Sequence, residues 1–134
     1  EASAFVFNGA GTTTGLSLIE EFGQIHTPIC LTNTLSVGTV YDAVARYVTE
    51  HWIEGPDDRS WFNPVVGETD DSYLNDMHGF HVHQEHVWRA IREASPENIA
   101  EGAVGAGMGV STCSFKSGIG TASRIVEAGD QTFT

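Results

Sequence analysis

Six glycines fall between Glu101 and Arg124: Gly102, Gly105, Gly107, Gly109, Gly118 and Gly120. Small residues separate several of them, as in Gly102-Ala103-Val104-Gly105-Ala106-Gly107-Met108. Backbone of this composition cannot fill space with side chains, so its use lies in close approach to something else. The spacing does not follow G-x-G-x-x-G after a clear strand, and no phosphate-loop lysine is present, which argues against a nucleotide-phosphate cradle. Two uses stay open: tight backbone packing, and backbone N–H groups set near a reacting carbonyl.

The chain has 134 residues, 40% of them apolar, enough for one ordinary core and a single domain over residues 1–134. Six Lys plus Arg against 18 Asp plus Glu give a net charge of −12. Nucleic acid is excluded as a partner by the lack of a basic face, and anionic membrane surfaces are disfavoured for the same reason. A cationic substrate suits the charge, as does simple solubility. No apolar run reaches the ~18 residues of a membrane span, and no signal peptide is evident. The chain lacks an initiator methionine and opens on the apolar run Ala4-Phe5-Val6-Phe7, which reads as an internal piece of a longer precursor. Its compartment is unassigned, a soluble cytoplasmic setting being the simplest. Cys30 and Cys113 sit in apolar or small-residue runs and are expected as buried free thiols.

Hydrophobic patterning predicts mixed helices and strands. Ala4 to Asn8 reads as a short buried strand and Thr14 to Phe22 as a helix stopped by Gly23. Pro28 to Asn33 reads as a second strand. Val40, Val44, Val48 and Trp52 make an i, i+4 stripe for a long helix ended by Gly55-Pro56. Thr39 with Asp42 is one capping pair for it, and Ser36 an alternative start. Asp57 to Gly79 reads mostly as loop, and Gln84 to Ala94 as a third helix. Ser95-Pro96-Glu97 has the form of a helix start, with the helix ending near Gly102. Met108 to Phe115 and Ile119 to Glu127 suggest paired strands, and Gln131 to Thr134 the start of another.

Three groups could carry chemistry. His78, His81, His83 and His86 lie within nine positions, and imidazole is a common metal ligand, so a metal-binding or metallohydrolase reading is open. The H-E-x-x-H spacing of helical zinc sites is absent, which favours a histidine-rich surface. No G-x-S-x-G elbow is present, and neither Ser111, Ser114 nor Cys113 has an evident activating partner. In Val65-Val66-Gly67-Glu68-Thr69-Asp70-Asp71, a carboxylate emerging from a buried strand end could receive an ammonium group. On spacing alone, an acidic surface loop with Asx-turns accounts for this stretch better.

Several separated stretches together resemble one enzyme family. They are Phe7-Asn8-Gly9-Ala10-Gly11 with Thr14-Gly15, and Pro28 with Leu31-Thr32-Asn33-Thr34 and Ser36-Val37-Gly38. They continue with Pro64 to Thr69, Leu74-Asn75-Asp76, Gly105 to Met108, Phe115 to Arg124, Glu127 to Asp130 and Phe133-Thr134. In this order they resemble the L-aminopeptidase/D-amidase-esterases of DmpA type and the β-peptidyl aminopeptidases.

The resemblance implies an α/β (α+β) chain forming part of a four-layer αββα sandwich like that of N-terminal-nucleophile hydrolases. It implies a precursor that cuts itself, so that the new N-terminal serine of a β chain is the nucleophile and its α-amine the base. This chain would be an internal part of the α side, partnered by its own β chain in a homo-oligomer of αβ units. The nucleophile, its supporting serine and glutamate, and an oxyanion-holding asparagine would all lie outside the sequence. The substrate would be a small peptide, amide or ester with a free amino group, and no cofactor or metal is expected. Glu68 matches the glutamate that receives the substrate's amino group. Asp70 stands where relatives carry tyrosine or leucine beside the pocket, and Phe62 aligns loosely with an apolar pocket position. Gly105, Gly107 and Met108 would be backbone of the active-site floor. Leu35, Ser117 and Ala122 replace a common histidine, glycine and serine without removing chemistry.

Overall fold

The computed structural model describes residues 1–133. The first helix, α1 (Leu16–Phe22), buries Leu18 and Ile19 and stops at Gly23, whose left-handed conformation lets its N–H return to the Ile19 carbonyl. Strand β1 (Ile29–Asn33) leads through a single 3-10 turn, Thr34–Ser36, directly into α2 (Val37–His51). Ser36 is therefore the start of the helix. Thr39 lies inside its first turns, and Asp42 pairs with Arg46 at 2.7 Å on the exposed face.

The parallel partner of β1 is β2 (Val65–Thr69), in register from Ile29 opposite Val65 to Asn33 opposite Thr69. This strand lies within the stretch expected to be loop. It contributes only two consecutive apolar residues, too few to show a period, and the pairing with β1 makes it a strand. The other edge of β2 is covered by Thr12–Thr14: Thr14 N–H donates to the Val66 carbonyl and Glu68 N–H to the Thr12 carbonyl, each at 3.0 Å. The Thr14 hydroxyl also accepts from Val66 N–H (2.9 Å) and donates to the Pro64 carbonyl (2.7 Å). With that edge taken, Ala4–Asn8 forms no strand, and Phe5 and Phe7 are exposed.

Helix α3 (Gln84–Glu93) packs with α2 over one face of the sheet. Val37, Val40, Ala43, Val44 and Val48 of α2 meet Val66 and Val87 in the core, with Cys30, Phe62 and Trp88 against its margin. The Trp88 indole N–H donates to the Ala43 carbonyl at 2.9 Å, which ties α3 to α2. Ile29 and Leu31, alternating with the buried side of β1, are exposed on the opposite face.

The C-terminal third departs most from expectation. Residues 95–102 form no helix. The Ser95 hydroxyl does accept from Glu97 N–H at 3.2 Å, but the segment lacks an apolar stripe to dock and ends in a bridge between Gly102 and Ile119. The two long strands are instead two small hairpins. β3 (Ser111–Thr112) pairs with β4 (Phe115–Lys116), and β5 (Val126–Ala128) with β6 (Gln131–Phe133). The chain reverses at Cys113 and Ser114, which both take positive φ (51° and 68°), the geometry of a tight two-residue hairpin turn. Cys113 is thereby exposed, not buried, while Cys30 is partly covered; both are free thiols. Thr134, assigned with Gln131 to the last strand, lies outside the described residues.

The glycine density has a direct cause here. Gly102 and Ile119 exchange backbone hydrogen bonds of 2.7 and 2.8 Å, and Gly118 lies so close to Gly102 that a side chain there would overlap its backbone. Among the described residues, no helix is long and apolar enough to cross a membrane.

Candidate functional site

Because β1 and β2 run parallel, both deliver their last residues to the same end of the sheet. Glu68, opposite Thr32, is half-buried there. Its carboxylate lies beside Gly11: a Cβ built on Gly11 would stand 3.6 Å from Glu68 Cγ and Oε1. Among the described residues no Lys, Arg or His forms an ion pair with Glu68. The carboxylate is therefore held by its strand and is free to take a cation.

The next three residues behave differently. The Thr69 hydroxyl points across the sheet end to the carbonyls of Thr32 (3.3 Å) and Ala106 (3.2 Å). Asp70 is exposed and accepts Ser72 N–H at 2.9 Å. Hydrogen bonding from the Ser72 hydroxyl and N–H holds the Asp70 carboxyl below its ordinary pKa. Asp71 is buried, and its Oδ2 accepts from Asn75 Nδ2 at 3.0 Å.

A cleft of about 800 Å³ opens between β1 and α3, lined by Asn33, Asp71, Asn75, Gly105, Ala106 and Met108 among others. Gly105 and Met108 thus face this cleft. Gly107 is buried behind it, where a Cβ would lie 2.6 Å from the Ile119 nitrogen and 2.8 Å from the Gly102 oxygen. Lys116 Nζ donates to the Gly107 carbonyl at 2.9 Å and steadies the turn. Phe62 stands apart from these groups. It packs on the core margin and lines a shallower cleft with Trp52 and Trp61.

The four histidines do not converge. His81 Nε2 contacts Asp76 Oδ2 at 3.2 Å, and His86 Nδ1 accepts from His83 N–H at 3.0 Å, closing the start of α3. Among the described residues, no set of three or more His, Cys, Asp or Glu has metal-holding geometry. Ser111 and Ser114 lie in the β3–β4 hairpin, one in a strand and one in its turn. Sequence reasoning passed over the burial of Asp71, since a second acid in an acidic run carries no sign of it.

Comparison with known proteins places the chain among peptidases. A family model described as "Peptidase family S58" matches residues 1–134. The chain is 46% identical over 127 residues to a β-peptidyl aminopeptidase of Sphingosinicella microcystinivorans, covering 95% of this chain and 31% of the relative. A Burkholderia β-aminopeptidase structure superposes with a TM-score of 0.84 at 44% identity, covering 93% of this chain and 35% of that one. The L-aminopeptidase D-Ala-esterase/amidase of Ochrobactrum anthropi superposes with a TM-score of 0.86 at 39% identity, covering 94% and 35%. That protein is described as a prototype of the serine aminopeptidases and a variant of the Ntn hydrolase fold. The mixed helix-and-strand architecture here is of that fold. The chain spans about a third of the length of the relatives it matches.

Proposed function

This chain belongs to peptidase family S58, and from that premise we propose that it is the α-side portion, a single domain unit, of a self-processing N-terminal-serine aminopeptidase. The nucleophilic serine would lie on a β chain outside this sequence, with its own α-amine as base. Attack by the serine oxygen on the substrate carbonyl would form an acyl-enzyme and release the amine, and water would then free the acid. The αβ units would associate into a homo-oligomer. Substrates would be small peptides, amides or esters with a free amino group.

The observation that carries the reading is the half-buried Glu68 carboxylate at the sheet end beside Gly11, without an ion-pair partner among the described residues. An ammonium placed there gains a charge-assisted hydrogen bond in partly dry surroundings. The Gly105–Met108 turn, tied to the same strand ends by Thr69, supports reading its backbone as part of the active-site floor. Asp70, fastened into its own loop by Ser72, would sit at the rim, and Phe62 enters the pocket only through the family resemblance. A metallohydrolase reading has no support in the histidine geometry.

Mass spectrometry of the complete gene product tests the proposal. Two chains, one beginning with serine, together with release of the amine from an aminoacyl amide, are expected. A single uncut chain without amidase activity would overturn it.

A further inference from the structure

Asp71 is 7% exposed, yet its Oδ1 has no hydrogen-bond partner among the described residues, and neither does the buried Oδ1 of Asn33. Buried polar atoms are rarely left without partners, and a buried carboxylate without a compensating charge is the costliest case. Both residues line the cleft between β1 and α3. Asn33 ends β1, its register partner Thr69 ends β2, and Asp71 follows two positions later. Neighbouring strands run about 4.8 Å apart, so Asn33 and the turn that carries Asp71 lie at the carboxyl ends of adjacent parallel strands. Open parallel sheets bind ligands at that end.

The Asp71 carboxylate is also held in place. Its backbone carbonyl accepts from Leu74 N–H (3.1 Å) and Asn75 N–H (2.9 Å), and its Oδ2 from Asn75 Nδ2. Gly109 presses its backbone against this turn, where a Cβ would come within 2.7 Å of Asp71 Cβ. A carboxylate fixed this firmly, with one oxygen satisfied and the other buried without a partner among the described residues, is preorganised for a donor.

We infer that Asp71 and Asn33 together bind a cationic nitrogen group, a guanidinium or an ammonium, in this cleft. Two acceptors call for at least two N–H donors, and the carboxylate calls for positive charge. A neutral amide would satisfy the hydrogen bonds and leave the charge uncompensated. The cation is either a side chain from another stretch of polypeptide or a free small molecule. This inference does not rest on peptide hydrolysis or on Glu68.

Thermal unfolding of the complete protein distinguishes the sources. Methylguanidinium at millimolar concentration serves as probe and methylurea as its neutral counterpart. A free-ligand site gives a saturable rise in Tm with methylguanidinium only, abolished in Asp71→Asn. A tethered cation gives no response to the probe but a lower Tm in Asp71→Asn. In either case Asn33→Asp is tolerated, because a second carboxylate beside a cation is not repelled. The inference is overturned if Asp71→Asn leaves Tm unchanged or raises it with no probe response in the wild type. A sharp loss of Tm in Asn33→Asp also overturns it. If Asp71→Asn fails to fold, the Asn33→Asp result and the wild-type titration still decide.

Discussion

The Thr69 hydroxyl lies 3.2 Å from the Ala106 carbonyl, and so joins the end of the central strand to the glycine-rich turn. The same hydroxyl reaches the Thr32 carbonyl at 3.3 Å, so one proton serves two elements. Thr69→Val keeps the shape and removes the donor. It is expected to destabilise the protein by about 1 kcal/mol, read as a lower urea midpoint with an unchanged slope. Thr69→Ser should recover most of that loss.

Glu68→Gln, in the complete protein, keeps the strand and removes the charge. The expected loss in kcat/KM for an amino-terminal substrate corresponds to roughly 2–4 kcal/mol, as for breaking one side of a partly desolvated charge pair. Unchanged kinetics would take Glu68 out of the site.

Gly109→Ala and Gly38→Ala should move stability in opposite directions. A Cβ at Gly109 meets Asp71 and Asn75, whereas one at Gly38, near the start of α2, meets nothing within 4 Å. Overpacking at Gly109 is expected to cost roughly 1–3 kcal/mol. Alanine at Gly38 should add about 0.5 kcal/mol by restricting the unfolded chain. Paired denaturant titrations check both signs.

Burial pushes the Cys30 thiol above its ordinary pKa. The fold therefore favours the protonated form: its contribution is complete below the unfolded-state pKa and is lost as pH rises through the raised folded value. Stability should fall on the alkaline side, and Cys30→Ala should flatten that limb. Cys113, exposed in its turn, should react first with a thiol reagent.

Elements with a long apolar period were legible in the sequence, and elements made by pairing were not. Helices α2 and α3 showed themselves through Val40, Val44, Val48, Val87 and Ile91. Strand β2 has only Val65 and Val66 to announce it, and becomes a strand through β1. The Cys113-Ser114 reversal has no glycine, so nothing local marked the end of the expected long strand. Glu68 emerged from the family resemblance, since spacing favoured a surface loop. Asp71 was hidden because burial is decided by Asn75 and Gly109, residues that approach it only in the folded chain.

The pairing of β1 with β2 also orders events during folding. Ile29 meets Val65, and Thr13 meets Gly67, so every rung of this sheet closes a long stretch of chain. The entropy of closure must be met before such contacts return free energy. α2 lies inside the β1–β2 connection and is built from bonds four residues apart, so it can form first and shorten the loop. Glu68, on β2, is then expected to acquire its surroundings after α2 has formed.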